Sequence, residues 1–242
     1  MAVLWALIPL YNLFVFRKVP ICPLISEDEE GLSVKTLIRL PAFWILMAIM
    51  VCAGASEQAV SQWASTFAEQ GLGVTKTVGD LTGPMLFAIC MGCSRLLYGL
   101  YGEKLNLRIA MIASGVLCLI AYCTISLSPV PALSLIGCGI CGFSVGIMWP
   151  GTFSIGATAL KGGGTVMFAF FALAGDLGCS AGPTFVGLIS DQVRGGLKSG
   201  ILWAAVFPLL LIIGTAWIHR IHSSTDFVKS SDRTSHLLNS ND

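Results

Sequence analysis

Apolar residues along this chain fall in long blocks separated by short polar segments, without the two-residue alternation of a half-buried strand. Read for runs of about 20 apolar residues, the length that crosses a bilayer as a helix, the pattern predicts spans at residues 41–67, 79–101, 109–127, 130–160, 165–189 and 201–218. A seventh apolar stretch, residues 1–16, is shorter, and its positive charges Arg17 and Lys18 follow it, whereas those of a signal peptide come first. It reads as the end of a truncated transmembrane helix. The expected fold class is all-α, a polytopic helical membrane protein, because a helix satisfies its own backbone hydrogen bonds in lipid.

Composition supports this reading. With 55% hydrophobic and 11% charged residues and a mean hydropathy of +0.82, the chain is more apolar than a soluble core requires. A net charge of +1 gives no reason to expect nucleic acid, and the blocks argue against an outer-membrane barrel. The placement of the basic residues says more. Arg17, Lys18, Lys35, Arg39, Lys104, Arg108, Lys161, Arg220, Lys229 and Arg233 fall on one side of the expected spans, and only Lys76, Arg194 and Lys198 on the other. That asymmetry assigns the first side to the cytoplasm of a cell membrane. Residues 17–40 are then a cytoplasmic linker carrying the acidic run Glu27, Asp28, Glu29 and Glu30, and residues 219–242 a cytoplasmic tail, disordered by its Ser, Asn and Asp content.

Three ionisable side chains, Glu57, Arg95 and Asp176, lie well inside the expected spans. Charge in hydrocarbon is costly, so each is a candidate functional residue. Glu57, Gln58, Ser61, Gln62 and Ser65 occupy an arc of about 140° at about 100° per residue, which makes one face of the first full span polar. At about 1.5 Å per residue, Glu57 lies roughly 24 Å along a helix of roughly 40 Å, and Asp176 about 17 Å into its own. Ser180 and Thr184 follow Asp176 on the same face, and Trp149 with Phe153 form an i, i+4 aromatic pair. Glu57, Gln58, Ser61, Gln62, Trp149, Phe153 and Ser180 thus offer the carboxylate, amide, hydroxyl and aromatic groups that bind a polar, ring-shaped solute such as a sugar.

A proton-coupled carrier needs a carboxyl group that is loaded and unloaded as its access changes, and Asp176 and Glu57 are the two candidates. For Asp176 the structural alternative is a hydrogen bond to backbone at a helix break between Gly175 and Gly178. For Glu57 it is a solvated position at the external mouth. Arg95, about 9 Å from the cytoplasmic end of its helix, is expected to snorkel to the interface or to pair with Glu103. With Glu103, Lys104 and Arg108 it makes a candidate cytoplasmic gate.

The pairs Gly142/Gly146 and Gly178/Gly182 have the small-xxx-small spacing that lets helices approach closely, and Pro150 and Pro183 are expected to bend their spans. Other local patterns carry no chemistry. Gly137, Gly139 and Gly142 match a dinucleotide fingerprint but follow no strand. The cysteine pairs Cys90/Cys93 and Cys138/Cys141 lie inside spans without nearby histidine, and His219, His222 and His236 lack metal spacing. No nucleophile elbow, P-loop or HExxH motif is present, so neither a cofactor nor an enzymatic activity is expected.

An external N-terminus on a short apolar stretch, a linker and six spans is the plan of the second half of a two-bundle transporter. The segment from Gly99 through Glu103 and Lys104 to Arg108 resembles the cytoplasmic loop signature of the major facilitator superfamily, with Asn106 and Leu107 departing from it. Residues 146–154, containing Trp149, Pro150 and Phe153, resemble the broken tenth helix of the fucose:proton symporter-like branch. Residues 175–183, with Asp176 and Pro183, are similar to an eleventh helix of bacterial facilitators. The resemblance covers residues 1–218, as the end of helix six and helices seven to twelve. It implies a secondary transporter that moves a small polar solute by alternating access, coupled to protons. It also implies a site shared with an N-terminal six-helix bundle, in the same polypeptide or a partner chain. Proton-antiport export of drugs or metabolites, an intramembrane enzyme in which Glu57 meets Asp176, and a non-transporting membrane partner are the competing readings.

Overall fold

The computed structural model describes residues 2–20, 31–71, 73, 75–218 and 220. The acidic run at 27–30, the three histidines and the tail lie outside them. Among the described residues every regular element is helical. An apolar helix α1 (Ala2–Phe16) and a short helix α2 (Val34–Arg39) precede six stretches long and apolar enough to cross a membrane: Pro41–Glu69, Lys76–Lys104, Leu107–Leu127, Ala132–Ala159, Gly164–Gln192 and Leu197–Ile218. They match the six expected spans one for one. The linker is not wholly irregular, since α2 begins where the Ser33 hydroxyl accepts from the Thr36 amide at 3.2 Å.

The first span is α3 (Pro41–Ser61), started by Pro41 at a position where no amide is needed. It is interrupted at Gln62 and Trp63, resumes as α4 (Ala64–Thr66) and widens into a π turn, Phe67–Gly71. The second and third spans are α5 (Lys76–Tyr101) and α6 (Leu107–Leu127), the latter capped by the Asn106 side chain accepting from the Ile109 amide at 3.2 Å. The fourth is split into α7 (Pro131–Val145) and α8 (Met148–Ala159). Pro150 explains the split, because it has no amide to offer the Gly146 carbonyl. The fifth, α9 (Gly164–Gln192), runs unbroken through Pro183, and no break separates Gly175 from Gly178. The sixth, α10 (Leu197–Ala204), continues to residue 218 after a turn at Ala205. Pro208 again removes the amide that would bond four residues back, to Ala204.

Helix packing is set by glycine. Gly54 on α3 faces the Gly175 carbonyl and Cys179 on α9, while Gly178 and Gly182 press on the backbone at Val51 and Ala55. α3 and α9 therefore run parallel with backbone against backbone over about two turns of α9. Gly142 meets the Phe87 carbonyl and Gly146 meets Ser94, which joins α7 to α5 in the same way. Both small-residue spacings lie at helix contacts as expected. Phe43, Leu46, Ile49, Met111, Tyr122 and Phe171 fill the core, and the Tyr122 hydroxyl donates to the Ser56 carbonyl at 2.9 Å.

Two hydrogen bonds tie together loops on opposite faces of the bundle. The Leu32 amide donates to the Gly162 carbonyl at 2.7 Å, which places the linker beside the α8–α9 turn. The Lys198 ammonium donates to the Ser128 carbonyl at 2.9 Å, which joins the other two long-range neighbours, the α6–α7 and α9–α10 turns.

Replacing Gly178 by leucine forces a side chain into the Val51 backbone and is expected to cost about 1–3 kcal/mol, whereas Gly99→Ala, with open space at its β position, is expected to be neutral or slightly stabilising. Thermal unfolding in detergent checks both. In the same assay Tyr122→Phe should cost roughly 1 kcal/mol, the ordinary worth of a buried hydrogen bond.

Candidate functional site

The polar face of α3 meets α5 at an ion pair. Arg95 on α5 donates through Nη2 to Oε2 of Glu57 at 3.3 Å, and the Gln58 amide lies 3.5 Å from Oε1 of the same carboxylate. The carboxylate is largely covered and the guanidinium is not, with side-chain exposures of 12% and 45%. Arg95 thus departs from expectation: its partner is Glu57, not Glu103, and it reaches across to α3. Depth counted along each helix leaves out side-chain reach, which a long arginine uses here to meet a carboxylate on the neighbouring helix. Glu57 is thus a paired and largely covered residue.

The stripe beyond Glu57 is only partly covered. Gln58 and Ser61 are half-buried, Gln62 is exposed where α3 breaks, and Ser65 donates to Asp80 on α5. Trp63, off this face, donates from its indole to the Pro183 carbonyl at 3.0 Å and pins the break to α9. On α5, about one turn past Arg95, Tyr98 makes a 3.0 Å hydroxyl–hydroxyl bond to Ser154 of α8. Neither Tyr98–Ser154 nor Ser65–Asp80 was anticipated, because each joins helices whose facing could not be read from one sequence.

α8 and α9 supply the rest. The Trp149 ring lies against Gly175, immediately before Asp176, and its indole nitrogen is buried without a hydrogen-bond partner. Phe153 lies farther from Trp149, at 6.5 Å between ring centres, than from Phe168 and Phe171, at 5.7 and 6.2 Å, the last meeting it edge-on. It belongs to an aromatic cluster that extends to the core. Asp176 is exposed, and its carboxylate has no hydrogen-bond or ion-pair partner among the described residues. Ser180 and Thr184 are also exposed, with their hydroxyl protons donated to the carbonyls of Asp176 and Ser180 at 3.2 and 2.8 Å, leaving oxygen lone pairs outward. The α3–α9 register puts Glu57 level with the Ser180–Gly182 turn, so roughly 8 Å of helix rise separates it from Asp176. The two carboxylates do not form the close pair an intramembrane acid–base enzyme would need.

At the other end Glu103 and Lys104 are exposed in a 3₁₀ turn, and Arg108 sits on the first turn of α6 with its Nε buried and unpartnered. These three are not brought to Arg95 by any ion pair among the described residues.

Polar side chains on α3, α5, α8 and α9 thus lie inside a bundle of six membrane-length spans. Residues 1–183 match the family model of the Major Facilitator Superfamily. The chain belongs to that superfamily. Membership and the six spans make it a multi-pass membrane protein of a secondary-transporter family. Comparison with curated proteins returned no match.

Because Glu57 and Arg95 hold each other, their substitutions should not add. A double-mutant cycle of Glu57→Gln and Arg95→Gln, read by thermal unfolding, should give a coupling of about 0.2–1 kcal/mol for a partly exposed pair.

Proposed function

We propose that this member of the superfamily moves a small, sugar-sized polar solute across the cell membrane by alternating access, driven by a proton gradient. The observation that carries the reading is the Asp176 carboxylate, exposed near the middle of α9 with no partner among the described residues. An ionisable group kept at that depth is costly unless it works. On this reading Asp176 is the proton-carrying group and Glu57 the second carboxylate of the pathway. Gln58, Ser61, Gln62, Trp149, Phe153 and Ser180 line the solute path. The exposed face of α3, α5 and α9 is closed by a second six-helix bundle, in the same polypeptide or in a partner chain. Glu103, Lys104 and Arg108 close the cytoplasmic end, and the linker and C-terminal tail lie on that side. The resemblance of residues 146–154 to the fucose:proton symporter-like branch supports uptake, and the observed split between α7 and α8 is compatible with it.

In vesicles carrying the protein, Asp176→Asn is expected to abolish gradient-driven uptake of its solute while solute exchange at equal proton concentration persists. A panel of radiolabelled monosaccharides and sugar acids supplies the probes. Uptake unchanged by Asp176→Asn removes this residue from coupling. Loss of exchange together with uptake would instead assign it to solute binding.

A further inference from the structure

Arg95 holds more donors than Glu57 uses. A guanidinium carries five N–H groups in a planar fork suited to a carboxylate, yet here one nitrogen makes one contact, at 3.3 Å, and the side chain is 45% exposed. The space around it is open. Gly92 and Gly99, at i−3 and i+4 on the same face of α5, would meet nothing within 4 Å if given a β-carbon. The opposing carboxylate is anchored from behind, since Gln58 reaches Oε1 while Arg95 takes Oε2. A permanent cation with a loosely held internal counter-ion, in a membrane span and facing open space, is arranged to exchange that counter-ion for another.

We propose that Arg95 is the anchor for an anionic solute: the transported molecule carries a carboxylate that takes the guanidinium fork, and Glu57 is the resident anion it displaces. This deepens the transport reading above and rests on it, because a fixed structural ion pair has no need of a vacant fork. Sugar acids and other small monocarboxylates satisfy both the Arg95 fork and the hydroxyl and amide groups assigned above to the solute path. A neutral sugar leaves the fork unused.

The test is ligand-induced thermal stabilisation of the purified full chain. The probes are lactate, glucuronate and benzoate at millimolar concentration, each beside its neutral amide. The acids should stabilise the protein and the amides should not. Arg95→Gln should abolish the effect and Arg95→Lys should keep part of it. Glu57→Gln, by removing the competing anion, should tighten acid binding about two- to fivefold, the worth of a partly exposed ion pair. Equal stabilisation by acids and amides, an acid effect that survives in Arg95→Gln, weaker binding in Glu57→Gln, or no effect of any acid overturns the proposal. Each of these outcomes is independent of the Asp176→Asn uptake assay, so a neutral-solute transporter coupled through Asp176 would be recognised as such.

Discussion

The bundle depends on the absence of side chains between α3 and α9. Gly54, Gly178 and Gly182 bring the two backbones into direct contact, and no hydrophobic driving force in lipid would replace that close packing if it were lost. Everything in the candidate site is referred to this seam. The polar stripe of α3 emerges beside it, Asp176 follows Gly175 on its far edge, and Trp149 is seated on Gly175 because a glycine leaves room for an indole. A larger residue at any of these points would move the seam and the site together.

The second constraint is electrostatic. Glu57 is covered and Arg95 is not, so the pair is asymmetric: the anion is held by the protein and the cation faces outward. Asp176 is the reverse case, an exposed carboxyl group without a partner among the described residues. Glu57, paired, and Asp176, unpaired among the described residues, lie roughly 8 Å apart along the helices. On the reading proposed above, these two acidic groups take different tasks, Glu57 as a counter-ion and Asp176 as the proton-carrying group.

Much of the fold was legible because lipid imposes a simple rule. A span must be helical, apolar and about 20 residues long, and the six runs could be read with errors of a few residues. Interruptions were legible only in part. Pro150 coincides with a split helix, whereas Pro183 sits in an unbroken one, and the turn before Pro208 was not anticipated. A proline removes one hydrogen bond, but packing decides whether the helix yields. In the site, periodicity found the stripe on α3 and the face of Asp176, because both follow from one helix at a time. It could not find the Arg95–Glu57 pair, since the relative height and rotation of α3 and α5 depend on contacts such as Gly142 on Phe87, which no single-helix pattern contains.

The hydrogen bond from Leu32 to Gly162 places the linker directly on the turn that joins α8 to α9. Those two helices carry Trp149 and Asp176. The described end of the linker is thus fastened at the base of both helices, so the position of that turn and the position of the linker are set together.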